Sequence, residues 1–293
     1  MSIVIGILEE GLIYAVMALG LYITYKILDF PDLSVDGTFP MGAAVTAALI
    51  LKGIHPALTL VLAFLAGAAA GCATGLIHVK LKVRDLLSGI IVMTALYSVN
   101  LRIAGRANVP LFSKESIFNN ALPAKLPDGL APYSAILILL VIVAFCKICL
   151  DLFLKTRAGY LLRAAGDNEV LVTSLAKDKG AVKILGLALA NGFVALAGAI
   201  YGQKTGYFEI SSGTGVMVMG LASVIIGTKL FQRISFVKAT TAVIFGTIIY
   251  KACIAAAISL GMAPSDLKLI TAALFLVILV VTSRKERRVK IHA

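Results

Sequence analysis

Apolar residues run almost unbroken along this chain, and the places where the runs stop are the most informative. Stretches long enough to cross a bilayer as helix, about 20 residues, occur at 3–26, 56–79, 85–104, 133–154, 180–202, 238–260 and 267–283. Two shorter runs, 40–51 and 213–228, each follow a polar, Gly-containing break. The first break is Asp32-Leu33-Ser34, leading to Met41-Gly42; the second is Glu209-Ile210-Ser211, leading to Met219-Gly220. The pattern predicts nine membrane segments, two of them short. Non-helical backbone at membrane depth is tolerated only where protein or water satisfies its N–H and C=O groups. Two such breaks at corresponding positions of two halves point to a transport pathway between them.

The expected fold class is therefore all-α: a polytopic membrane helical bundle forming a single domain over 1–293. Its halves would span about 3–154 and 180–283, joined by a polar connector at 155–179. The stretch Gly11-Leu12 to Ala18-Leu19 before the first break is matched by Gly186-Leu187 to Ala195-Leu196 before the second. Either the halves are repeats, or two Gly/Ala-rich helices are alike by chance.

Composition agrees with this. Of the 293 residues, 14% are charged and 60% hydrophobic, with mean hydropathy +0.98; soluble domains carry about 25% charged residues. No basic segment and small-residue cleavage site mark a removable leader, so the first run is expected to remain as a helix. The net charge is +12. Nucleic-acid binding would need a basic face on a soluble fold, whereas the basic residues here lie between apolar runs. One set of connections holds 17 of the 27 Lys and Arg: Lys80, Lys82, Arg84, then 155–183, then Lys229, Arg233, Lys238, then the tail from Arg284. The opposite set holds seven. The richer set should face the cytoplasm, with the N-terminus outside, the C-terminus inside, and the two short segments running in opposite directions. The small-residue runs Gly67 to Gly71 and Gly71-x-x-x-Gly75 permit close helix contact, within one subunit or at a dimer seam.

Candidate chemistry is sparse. Cys146-x-x-Cys149 has no accompanying Cys or His pair, so the four cysteines read as small buried apolar residues. Gly220 to Lys229 lacks the spacing of a phosphate loop. No metal cluster and no constellation of acid, base and nucleophile is present, so an enzyme is not expected and energy must come from elsewhere. In the first break, Asp32, Ser34, Asp36 and Thr38 form a polar gate solvated by a cavity, or cap the helix 40–51, with Pro40 in its first turn. In the second, Tyr207, Phe208, Glu209 and Ser211 are pathway candidates; Glu209 would meet a substrate ammonium or pair with Lys204. Lys251 lies mid-span, where an ionisable group usually faces a cavity or a partner; Asp266, Glu209 and backbone carbonyls are candidates, with carboxylate recognition and snorkelling the alternatives. Asn100 and Asn191 should hydrogen-bond between helices, Asn191 with a possible pathway role.

The connector reads KTRAGYLLRAAGDNEVLVTSLAKDK, too polar to cross. Its apolar positions give a partly amphipathic pattern broken at Gly166-Asp167-Asn168, where Asp167 or Asn168 can cap a following helix. It is either an interfacial helix or a dock for a soluble subunit.

Thr156-Arg-Ala-Gly-Tyr-Leu-Leu-Arg-Ala-Ala-Gly-Asp-Asn resembles the coupling segment of ABC importer permeases of the branched-chain amino acid and ribose type. Gly11-Leu-Ile-Tyr-Ala-Val-Met-Ala-Leu-Gly-Leu-Tyr and Leu28-Asp-Phe-Pro-Asp-Leu-Ser-Val-Asp-Gly-Thr-Phe look like the same family. Ala263-Pro-Ser-Asp-Leu-Lys-Leu-Ile-Thr-Ala looks like its subgroup for tryptophan and tyrosine uptake. The resemblance implies a bacterial inner-membrane permease, a second permease copy, two cytoplasmic ABC ATPases that bind the ATP and Mg, and an external substrate-binding protein. It also implies ATPase coupling through Thr156, Gly159, Arg163, Ala165, Gly166, Asp167 and Asn168. The competing class is a proton- or sodium-coupled carrier, which would place a titratable cluster at the midplane, where only Lys251 is evident.

Overall fold

Helix follows apolar run nearly everywhere. The computed structural model describes residues 2–119, 133–167, 179–232, 234, 236–261, 266, 269–273, 275–277 and 280. Within these, α1 spans Ser2–Leu21 and continues as a π-helical turn over Tyr22–Ile27. Then come α2 (Val35–Leu51), α3 (Pro56–Lys80), α4 (Asp85–Ala104) and strand β1 (Asn108–Pro110). After α5 (Ser134–Phe153) follow α6 (Arg157–Asp167) and α7 (Lys179–Thr205). Strand β2 (Tyr207–Glu209) and a 3-10 turn (Ile210–Gly213) lead into α8 (Val216–Leu230) and α9 (Ala239–Ser259). Among the described residues seven helices are long and apolar enough to cross a membrane, counting α1 with its π turn and α8 with the 3-10 turn before it, and α2 is a shorter apolar helix. The predicted segment 267–283 is helical at 269–273 and 275–277. The result is the polytopic helical bundle expected.

Burial sorts the helices. From Leu12 to Ile23, α1 is enclosed on every side, and α7 is enclosed over most of Gly186–Gln203. These two have apolar residues all round, as central helices must. Around them, α3, α4 and α5 turn one face inward and leave Leu65, Tyr97, Val141 and Phe145 exposed, the apolar surface a bilayer solvates.

Small residues set the closest approaches. Gly67, Gly71 and Gly75 of α3 all face α7, so this stripe packs within the subunit. Gly42 of α2 lies so near α7 that a Cβ there would run into the Ala195 carbonyl oxygen. Without large side chains between them, α2, α3 and α7 bring backbone against backbone.

Two boundaries differ from the sequence reading. The first short helix begins at Val35, not 40, so Asp36 and Thr38 are helical and Pro40 lies in the second turn. Residues 207–209 are extended and pair antiparallel with β1, Val109 opposite Phe208, which gives the non-helical backbone of the second break a partner. Residues 120–132, which hold Pro123, Pro127 and Pro132, lie outside the described residues.

Candidate functional site

The first break starts where α1 loosens. Its π turn ends with Leu28 N donating to the Ile23 carbonyl at 2.9 Å, and Asp29 takes a left-handed conformation with φ +51°. That reverses the chain and delivers Asp32 to α7. Asp32 accepts from Ser34 N at 2.9 Å, Ser34 Oγ at 2.6 Å and Asn191 Nδ2 at 2.7 Å. Asn191 Oδ1 accepts in turn from Thr38 Oγ1 at 2.8 Å. All four residues are at most 1% exposed. The expectation that a cavity solvates Asp32 is therefore corrected: three protein donors replace water, which is how a buried carboxylate is satisfied. One helical amide thus latches the break to the central helix. A second amide, Asn100 Nδ2, donates to the Gly37 carbonyl at 3.0 Å.

Asp36 points the other way. It accepts from Gly215 N at 2.9 Å and Met217 N at 2.8 Å, capping α8 rather than its own helix. The free N–H groups and positive dipole end of α8 favour a carboxylate there. Gly215, with φ +83°, makes the turn into α8. Gly213 lies against the Asp36 carbonyl and the Pro40 ring. Pro40, four residues on from Asp36, has no N–H to offer that carbonyl, so the helix ladder is open where the second break abuts it. The two breaks meet here.

The other second-break candidates are spread out. Phe208 is fully buried in an apolar cluster with Ala43, Ala44, Ala47 and Ile50 of α2, where it anchors the extended segment and lines no polar space. Tyr207 tilts against Phe112, and Glu209 accepts from Ser211 Oγ at 2.6 Å. Lys204 pairs with Glu9 at 2.8 Å, not with Glu209 as expected, because α1 packs beside the end of α7.

Lys251 Nζ lies 2.9 Å from Glu10 and 4.0 Å from the ring centroid of Tyr14. The partner is an α1 residue that the sequence reading did not propose. Beneath it Tyr14 stacks on Phe39 at 5.8 Å, and both contact Tyr201. The missed signal was Glu9-Glu10 within an otherwise apolar run, an acid that could meet the mid-span Lys251 of another helix. Gln203 was missed too: its amide donates to Pro56 O and Thr59 Oγ1 and accepts from Ile117 N.

The connector supplies α6. Gly159, Leu162 and Ala165 are buried on one face, and Arg157, Tyr160 and Arg163 are exposed on the other. Thr156 Oγ1 accepts from Gly159 N at 3.3 Å at the helix start. A Cβ on Gly166 would strike the Ile27 carbonyl, and Leu162 meets Leu28 over Gly186 of α7. The inner face of α6 therefore rests on the π turn leading to Asp32. Asn168 and the side chain of Asp167 lie outside the described residues, as does the helix they were expected to cap.

The structure thus brings together Asp32, Ser34, Thr38 and Asn191, joins Asp36 to the second break, and keeps Lys251 in a separate cluster. Among the described residues no group of three or more His, Cys, Asp or Glu could hold a metal. Cys146 is buried and Cys149 exposed, both as free thiols.

Comparison with known proteins places these features in context. Residues 3–281 match the family described as branched-chain amino acid transport system / permease component. A tyrosine transport system permease protein of Clostridioides difficile (strain R20291) is 48% identical over 272 residues, covering 93% of this chain and 88% of its own. An uncharacterized protein of Rickettsia prowazekii (strain Madrid E) is 33% identical over 274 residues, covering 92% and 94%. The ribose import permease protein of Escherichia coli (strain K12) is 23% identical over 223 residues, covering 76% and 68%. No solved structure matches significantly.

Proposed function

The chain belongs to the family of permease components of branched-chain amino acid transport systems, and from that premise we propose that it is the membrane subunit of an ATP-driven ABC importer. It moves an amino acid, an aromatic one in view of the 48% identical tyrosine transport permease, from an external binding protein into a bacterial cytoplasm. A second copy of the chain and two ATPase subunits complete the assembly. The basic end of the bundle, with α6, faces the cytoplasm. In this reading α2 and α8 leave the meeting point of the breaks toward opposite faces, as halves of an inverted repeat.

The observation that carries the reading is the seat of α6. Its outer face offers Tyr160 and Arg163 to a partner, while its inner face touches Ile27 and Leu28. Four residues further on, Asp32 is latched to Asn191. A push on α6 from ATPase closure reaches this latch through one short segment. That is a contiguous route by which an outside energy source biases a two-state element. The capture of Asp32 by Ser34 and Asn191 leaves it little capacity to bind a coupling ion, which weighs against an ion-driven carrier.

Uptake in sealed vesicles tests the proposal. With the ATPase and binding protein present, transport of labelled tyrosine should require ATP and stop when the ATPase is inactivated. Uptake by this chain alone, driven by a sodium or proton gradient, would refute it.

A further inference from the structure

The Lys251–Glu10 pair stands apart from the line that joins α6 to Asp32. Its two charges are 2.9 Å apart, and each sits within an apolar membrane helix. Glu10 is eight residues from the start of α1 and Lys251 eight from the end of α9, so each lies about 12 Å along the axis from its helix end. The pair is open on one side: the Lys251 side chain is 10% exposed and that of Glu10 59%. An ionisable group within a membrane segment looks into the bundle or onto a water-filled space, not onto hydrocarbon. The open side of Glu10 therefore borders water, and a dissolved solute can reach the pair from there.

The wall beside the pair is aromatic. Lys251 Nζ lies 4.0 Å from the centroid of the Tyr14 ring. Tyr14 is stacked on the fully buried Phe39 with ring planes 7° apart, and Tyr201 is tilted against both. Tyr14 and Tyr201 each lie within electrostatic reach of Glu10 and of Tyr207, so the group continues to the extended segment of the second break. The neighbouring acid Glu9 is held by Lys204 at 2.8 Å.

This charge pattern selects a class of ligand. An anion drawn to Lys251 takes the counter-charge from Glu10, and a cation drawn to Glu10 takes it from Lys251. Removing one partner of a buried pair is strongly unfavourable. A zwitterion avoids both outcomes. Its carboxylate replaces Glu10 at Lys251, its ammonium replaces Lys251 at Glu10, and each charge stays matched. A ring on the same solute then meets Tyr14 and Tyr201, whose faces and edges favour an aromatic neighbour. We propose that Lys251, Glu10, Tyr14 and Tyr201 form a recognition site for an aromatic amino acid, with the ion pair opening to take its two charges. This rests on the reading of the chain as an amino-acid permease and names the side chains that recognise the solute.

The test is binding to the purified full chain in lipid nanodiscs, read by saturation-transfer NMR, with no ATPase, binding protein or ion gradient present. The probes are tyrosine, tyramine (no carboxylate), hydroxyphenylpropionate (no ammonium) and leucine (no ring). Tyrosine should bind, and tyramine and hydroxyphenylpropionate should each bind about tenfold more weakly, as for the loss of one charged hydrogen bond. Leucine should also bind more weakly than tyrosine. K251M and E10Q should each weaken tyrosine binding about tenfold. K251R, which keeps the charge, should recover most of it, and K52Q, on an exposed residue between α2 and α3, should bind as the natural chain does. Melting temperatures are recorded for every variant, and the loss in K251M should exceed anything its melting temperature explains. The probe series needs only the natural chain, so it decides the matter even where a variant folds poorly. Undetectable binding of tyrosine, equal binding of tyramine or hydroxyphenylpropionate, or tyrosine binding unchanged in K251M and E10Q would each overturn the proposal. If ATP-driven uptake holds while the probes fail, this site alone falls; if the probes behave as expected but an ion gradient drives uptake, the importer reading falls and the site stands.

Discussion

Asn191 offers one amide to partners on both sides of the first break: Asp32 accepts from its nitrogen, and Thr38 donates to its oxygen. Removing that side chain strands several buried groups at once. Single hydrogen bonds between membrane helices average only about 0.6 kcal/mol and reach about 1.7, but a carboxylate left short of a donor in the interior costs more. N191A should therefore destabilise the bundle by about 2 kcal/mol, read as a lower melting temperature in detergent. The Lys251–Glu10 pair behaves asymmetrically. The Lys251 side chain is 10% exposed and that of Glu10 59%. K251M replaces a buried cation with an apolar side chain of similar length and leaves a glutamate that water can solvate. E10Q leaves the buried cation facing a neutral amide and the Tyr14 ring, with its counter-charge gone. E10Q should thus lower the melting temperature more than K251M; the reverse order would show that the pair contributes little beyond the packing of Lys251.

At the scale of elements, the bundle is held by how closely α2, α3 and α7 approach. A methyl group at Gly42 meets the Ala195 carbonyl, part of a backbone that has nowhere to go. G42A should cost about 2 kcal/mol by forcing α2 away from α7. At Gly6, near the start of α1, an added Cβ has nothing within 4 Å, so G6A should be neutral or slightly stabilising through helix propensity. Equal melting temperatures for the two variants would remove the close-contact account. The strand pair belongs to this scale as well. Extended backbone at 207–209 is affordable beside apolar helices because β1 pairs with it and Phe208 fills a hole lined by alanines.

Across the whole molecule, the amphipathic α6, the π turn and the Asp32 latch form one line from the surface to the meeting point of the breaks. If the chain works in the proposed ATP-driven assembly, G166L should wedge α6 off the Ile27 carbonyl. R163E should reverse charge on the exposed face without disturbing the fold. Both are expected to reduce transport at least tenfold while ATP hydrolysis continues, measured as the ratio of substrate moved to phosphate released. An unchanged ratio would take α6 out of the route. The sequence by itself determined the apolar runs, the two breaks and the amphipathic connector, because hydropathy, period and Gly/Pro content are local properties of the chain. It placed Asp32, Ser34, Thr38 and Asn191 among the candidates from their polarity alone. Only the tertiary structure decided who meets whom: that Asp32 is bound by an amide 159 residues away, that Asp36 caps α8, and that Lys251 belongs to Glu10. Buried polar groups must be paired, but which partner each finds depends on how the helices pack side by side, and that arrangement is absent from any single stretch of sequence.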